Sequence, residues 1–285
     1  MLGGGVVAGI FGSLLGLGGG ILIVPLLTLA FGLPVREAVG VSLICVIMTS
    51  GASAAVYLER DVANLRLGML LELFTAMGAV IGGAVAFLID DQALAGLFAA
   101  LLLYVAWTMA RGARSAKPAP PLEPAAPMAI EDPGDDDGPA DPPPAAPTRA
   151  TLVERLSRPG YTVRRLRLGA AIGVVAGVLS AILGIGGGIV KVPSMHLLMG
   201  VPLKVATATS NLMIGITAST SAIVYLARGG IDVYAAGPTA VGVFIGATIG
   251  SRGAARVNVR VLRWLFVLVL LYTAFEMAQR AAGAA

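Results

Sequence analysis

Histidine and cysteine each occur once in this 285-residue sequence, and charged residues make up only 13% of it. The lone cysteine, Cys45, excludes an internal disulfide and reads as a small buried hydrophobe. With His196 the only histidine, no metal-ligand cluster and no nucleophile–base pairing can be drawn. Neither a metal nor a cofactor is expected, and the chain does not read as an enzyme. The first residues, MLGGGVVAGIFG, lack the basic n-region of a signal peptide, so they are expected to belong to the mature fold. A net charge of +4, spread over loops, argues for membrane orientation rather than nucleic-acid binding.

What the sequence does have is apolar surface. Hydrophobic residues are 57% of the chain, more than a water-soluble core can hide. Hydrophobic segments can be drawn at roughly 5–31, 36–58, 67–89, 92–110, 168–199, 203–227, 232–251 and 261–279. The expected fold is an all-α polytopic, multi-pass membrane protein. Between its halves the stretch SAKPAPPLEPAAPMAIEDPGDDDGPADPPPAAP is rich in proline and acid, which predicts a disordered linker. The expected domains are a first membrane repeat at 1–111, the linker at 112–160 and a second membrane repeat at 161–285.

The halves superimpose at a constant offset of 168. Gly16, Gly18, Gly19, Gly20 and Pro25 fall on Gly184, Gly186, Gly187, Gly188 and Pro193. Gly32 and Pro34 fall on Gly200 and Pro202, Ser42 on Ser210, Tyr57 on Tyr225, and Gly78 and Gly82 on Gly246 and Gly250. Duplicated halves of four segments each are a plan of secondary transporters.

Charge bears on how the halves are oriented. If each glycine segment crosses the membrane once, the halves are parallel and thirteen Lys/Arg face the linker side against six opposite. If each dips in and returns, the halves are inverted and the split is sixteen to three, with only Arg36, Arg228 and Arg280 opposite. The second split fits the positive-inside rule better, so inverted repeats with re-entrant, broken glycine helices are expected.

The two long segments carry LGLGGGILIVP and LGIGGGIVKVP. Broken backbone at membrane depth is tolerated where protein or a polar cavity satisfies it. Gly18, Gly19 and Gly20, with Gly186, Gly187 and Gly188, would then let an anion approach backbone N–H groups where a half-helix begins. Close helix packing is the plainer role for glycines in a membrane. Lys191, where the first repeat has Ile23, is a charge inside an apolar stretch and a candidate for the same anion, or else snorkels to the interface. In TATSNLMIGITASTSAIVY the best donors are Ser210 and Asn211. Glu72, opposite Ala240 in the repeat, and His196 are candidates for proton coupling; interface snorkelling for Glu72 and a structural role for His196 are the alternatives.

The doubled LGxGGGxxxVP motif, followed by TATSNLMIGITA and VYLARGGI, resembles the sulfite exporter TauE/SafE family, also called the toluene-sulfonate uptake permeases. The resemblance covers 3–111 and 168–280 and implies a multi-pass protein of the cell inner (plasma) membrane, a permease or exporter of sulfite, organosulfonates and related sulfur anions. The expected partners are a small anionic substrate and the lipid bilayer, with a second copy of the chain as an open alternative and nucleic acid excluded. The competing reading is a membrane-embedded assembly or sensor protein that works through its linker. A nucleotide-binding enzyme is rejected, because GxGGG here lacks a strand–turn–helix setting and an acid about twenty residues on.

Overall fold

The apolar stretches fold as helices, and the two longest break at their glycines. The computed structural model describes residues 1–15, 20–59, 63–115, 163–253 and 259–283. The linker lies outside the described residues. The first half contains α1 (Leu2–Leu15), α2 (Gly20–Pro25), α3 (Val35–Glu59), α4 (Leu65–Ala86) and α5 (Asp91–Ser115). The second contains α6 (Leu166–Leu183), α7 (Gly188–Pro193), α8 (Leu203–Ala227), α9 (Val233–Gly253) and α10 (Val259–Ala281). Both α2 and α7 end at a proline and run on as a π-helical turn, Leu26–Ala30 and Ser194–Leu198. The physical reason is shared: proline has no N–H and its ring crowds the carbonyl four residues back, so the ladder widens at that point. Among the described residues, α4, α5, α6, α8, α9 and α10 contain spans long and apolar enough to cross a membrane.

Each long glycine segment is a hairpin rather than a straight rod. In the second half, the Arg164 N–H before α6 donates to the Met199 carbonyl after the π turn, at 3.0 Å. The backbone of Gly169 also lies against the Met199 side chain. The chain therefore leaves the hairpin beside the point where it came in. At the tip, Gly184 ends α6 in the left-handed region (φ 66°), its N–H donating to Ser180 O at 2.8 Å. Gly186 (φ 83°) and Gly187 (φ 73°) continue the reversal in backbone that a Cβ would oppose. The first-half hairpin is closed by Leu26, whose side chain packs over Gly4.

Glycine also sets the packing between halves. α1 lies along α9: a Cβ on Gly242 would fall 2.2 Å from Leu2 O, and on Gly246 2.1 Å from Val6 O. α6 lies along α4 in the same way, Gly78 against Val174 O and Gly82 against Val178 O. Backbones this close gain dispersion contacts in lipid, where apolar burial alone drives little association. Each pair also advances in step along both sequences, so the two helices of a pair run in one direction. The exchange makes each half complete the other. α3 and α8 cross at the centre, with Leu43, Val46, Ile214 and Tyr225 buried there. Leu73, Met77, Trp107, Leu268 and Phe275 face outward as an apolar belt.

Candidate functional site

The start of α2 meets the tip of the second hairpin beside α3 and α8. A Cβ on Gly20 would lie 2.7 Å from Gly184 O, so the first residue of α2 touches the residue that ends α6 through backbone. The buried Ser42 hydroxyl donates to Gly184 O at 2.8 Å and lies 3.3 Å from Gly20 O. Its repeat mate Ser210 is equally buried, yet its hydroxyl finds no hydrogen-bond partner. The Ser180 hydroxyl in the last turn of α6 is in the same condition. These two unpartnered hydroxyls flank the start of α7: Ser180 beside Gly187, and Ser210 within 3.7 Å of a Cβ placed on Gly188. A buried hydroxyl without a partner costs free energy, so a polar ligand or water has something to satisfy here.

Lys191 is held on the face of α7 that turns inward. It is 3% exposed, too deep to snorkel. Its Nζ donates to Glu72 Oε2 at 3.2 Å and to Thr217 Oγ1 at 2.5 Å. The Thr217 hydroxyl donates in turn to Glu72 Oε1 at 2.6 Å, with the Met213 carbonyl at 3.0 Å as a second acceptor. Glu72 is 4% exposed, so its carboxylate does not reach the interface along its own stem. The three side chains close a ring that joins α4 of the first half to α7 and α8 of the second. An ammonium has three N–H donors and this ring uses two. The Lys191 stem also passes Gly187, whose added Cβ would lie 3.5 Å from Lys191 Cε. The charged ring and the glycine turn are thus parts of one site. A cavity of about 10 Å³ beside Lys191 is lined by Thr75, Ser194 and Met213 and reaches Gly169 in the first turns of α6. That is room for about one water.

The other sequence candidates are more scattered. Gly18 and Gly19 lie outside the described residues. Gly20 is buried at the start of α2, and Gly186, Gly187 and Gly188 form the turn into α7. Asn211 is half-buried, and its backbone carbonyl accepts a hydrogen bond from the Ser50 hydroxyl. His196 is exposed, and its Nδ1–H donates to Val201 O at 2.9 Å, which ties down the chain leaving the hairpin. Among the described residues no group of three or more His, Cys, Asp or Glu is placed to hold a metal ion.

Two members of the site escaped the sequence reading as members. Ser180 has no special neighbour in sequence, and Thr217 is one hydroxyl among many in its stretch. The pairing of Lys191 with Glu72 spans 119 residues, beyond any local rule. One signal was present: each lacks a charged counterpart in the repeat, where Ile23 and Ala240 stand.

The fold and the site define a multi-pass helical membrane protein that holds a buried ion pair beside a broken helix. The chain belongs to the sulfite exporter TauE/SafE family, whose model matches residues 1–277. It is 27% identical to "Probable membrane transporter protein YunE" of Bacillus subtilis (strain 168), over 94% of this chain and 92% of that protein. It is 25% identical to a "Probable membrane transporter protein" of Xylella fastidiosa (strain 9a5c), over 98% of this chain and 94% of that one. No solved structure matches it. The chain is a membrane transporter and not an enzyme.

Proposed function

We propose that this transporter moves a small sulfur-containing oxyanion, sulfite or an organosulfonate, across the inner membrane, and binds it between the two glycine motifs. The observation that carries the reading is a pair of unpartnered buried hydroxyls beside the start of α7, the same turn that the stem of a buried lysine passes. The Ser180 and Ser210 hydroxyls lack partners, the start of α7 lies between them, and Lys191 passes beside Gly187. A compact oxyanion with several acceptor oxygens fits such a donor set. The family name supplies the sulfur chemistry. Asn211, next to Ser210, is the further donor we assign to the site.

We further propose that the halves are inverted and that transport is a rocking of one against the other about this site. Arg36 and Arg228 support the inverted arrangement: each guanidinium lies 5.5 Å from the centre of the same ring, Phe87. Parallel halves would put those two arginines on opposite faces of the membrane. The face bearing the linker and most Lys/Arg is then cytoplasmic.

The test is uptake of labelled sulfite into proteoliposomes by wild type, Lys191→Ala and Gly187→Ala. Truncating a buried, hydrogen-bonded charge costs about 2–5 kcal/mol of binding, so a loss of at least about tenfold is expected for Lys191→Ala. Full transport by both variants would sink the proposed site. Deleting 115–160 separates this reading from the sensor alternative: transport persists here, and is abolished if the linker is the working part.

A further inference from the structure

We propose that Glu72 is a built-in competitor for the substrate, holding Lys191 until an anion replaces it, and that it gives way by taking up one proton, so that one proton travels with each monoanion. The inference rests on the transport reading of this site and adds its coupling.

The argument starts from charge balance. Lys191 and Glu72 are both buried and bonded to each other, so the site without substrate is neutral. A monoanion brought to Lys191 beside an ionised Glu72 would leave one net negative charge in a poorly solvated interior. Protonating Glu72 restores neutrality: ammonium and anion form the new pair, and the carboxyl stays as a neutral group. No bond other than O–H forms, and the proton comes from water on one side and leaves to water on the other.

The geometry suits such an exchange. Glu72 presents two oxygens, one to the Lys191 ammonium and one to the Thr217 hydroxyl. A sulfonate or bisulfite also presents adjacent oxygens to donors at that spacing. The carboxylate is thus a stand-in for the oxyanion, carried on α4 of the opposite half. Its release removes the ion pair that ties α4 to α7 and α8, which links coupling to the rocking motion. The water-sized cavity that Lys191 shares with Thr75, Ser194 and Gly169 has room for about one water beside the pair, on the side of the first turns of α6.

Among the described residues, no other charged side chain is shown in contact with this pair. α6 carries its arginines, Arg165 and Arg167, at its start, and Arg66 lies in the first turn of α4. α8 brings only Lys204, in its first turn. His196, on the π turn after α7, is exposed and bonded to Val201 O. The repeat-related positions are Ile23, Thr49 and Ala240, which cannot form the ion pair. Among the described residues this buried pair occurs once, and this sets the proposed stoichiometry at one.

Proteoliposomes with the membrane potential clamped at zero test this with labelled methanesulfonate and labelled sulfite. Exchange without any gradient reads transport alone. Accumulation under an imposed pH gradient, alkaline inside, reads coupling. Wild type is expected to exchange, and to accumulate anion about tenfold per pH unit at steady state. A trapped pH dye should report one proton entering per methanesulfonate. For Glu72→Gln the steady-state ratio is expected to fall to one whatever its rate, and Glu72→Asp should keep a pH-driven ratio. Wild-type exchange with no response to the pH gradient overturns the coupling and leaves the transport reading standing. Absence of exchange for both anions overturns the transport reading instead. A Glu72→Gln protein that still accumulates like wild type shows that the proton travels elsewhere. The dye measurement needs no variant, so a misfolded Glu72→Gln does not protect the proposal.

Discussion

Removing one partner of the Lys191–Glu72 pair leaves the other charge buried without compensation. For pairs this deep the loss is about 3–5 kcal/mol, whereas replacing both partners by apolar groups of similar volume is close to neutral. Lys191→Met is therefore expected to lower the apparent Tm of the purified protein by about 10 °C, and Lys191→Met with Glu72→Met to recover most of it. Thermal unfolding in detergent, followed by intrinsic fluorescence, checks this. If the double variant is no more stable than either single one, the pair is not held as the distances imply. The same logic applies at the repeat-related position. Ile23 is fully buried and faces no carboxylate, since Ala240 stands where Glu72 would be. Ile23→Lys alone should destabilise strongly, and adding Ala240→Glu should restore part of the loss. Single residues of this kind were visible in the sequence as charges out of place. Their partnership was not, because the pair is formed by α4 and α7 packing across the two halves.

At the scale of elements, the glycine turns and the glycine faces make different demands. Gly187 sits at φ 73° with a Cβ position 3.0 Å from Ala176 O, so Gly187→Ala is strained twice over. The conformational part alone costs about 1–2 kcal/mol. Gly51 lies inside α3 with nothing within 4 Å of its Cβ position. Gly51→Ala should be neutral or stabilising, by up to about 1 kcal/mol. Comparing the melting of these two variants separates a turn requirement from a general loss of glycine. Gly177→Ala tests the α4–α6 seam, where a Cβ would fall 2.0 Å from Thr75 O. The broken helices were readable from the sequence because glycine and proline interrupt an apolar run in register. Which glycines serve the turn and which serve packing was not readable, since both kinds look alike until the neighbouring backbone is in place.

For the whole molecule, the discriminating quantity is which face each loop occupies. Cys45 is the only cysteine and is fully buried, so engineered cysteines should label over a quiet background. Leu88 and Tyr234 are 82% and 91% exposed. Leu88→Cys and Tyr234→Cys are expected to react with an impermeant maleimide from the same side in intact cells, and Arg165→Cys only after permeabilisation. Labelling of Leu88→Cys and Tyr234→Cys from opposite sides would contradict the inverted arrangement. The charge count already leaned this way, because membrane insertion reads Lys/Arg in loops, and loops are local in sequence. The pairing of α1 with α9 and of α6 with α4 has no such local mark.

The sequence by itself determined that the chain lives in a membrane, that glycines, prolines and tyrosines recur at an offset of 168, and where two apolar runs are interrupted. Hydropathy, repetition and the backbone needs of glycine and proline are properties of short stretches, so they survive without a fold. Only the tertiary structure decided what the breaks surround. It brought Glu72 and Thr217 to Lys191, left Ser180 and Ser210 without partners beside the turn into α7, and set Arg36 and Arg228 over one Phe87 ring. Those contacts join residues far apart in the chain, and they depend on the exchange of helices between halves.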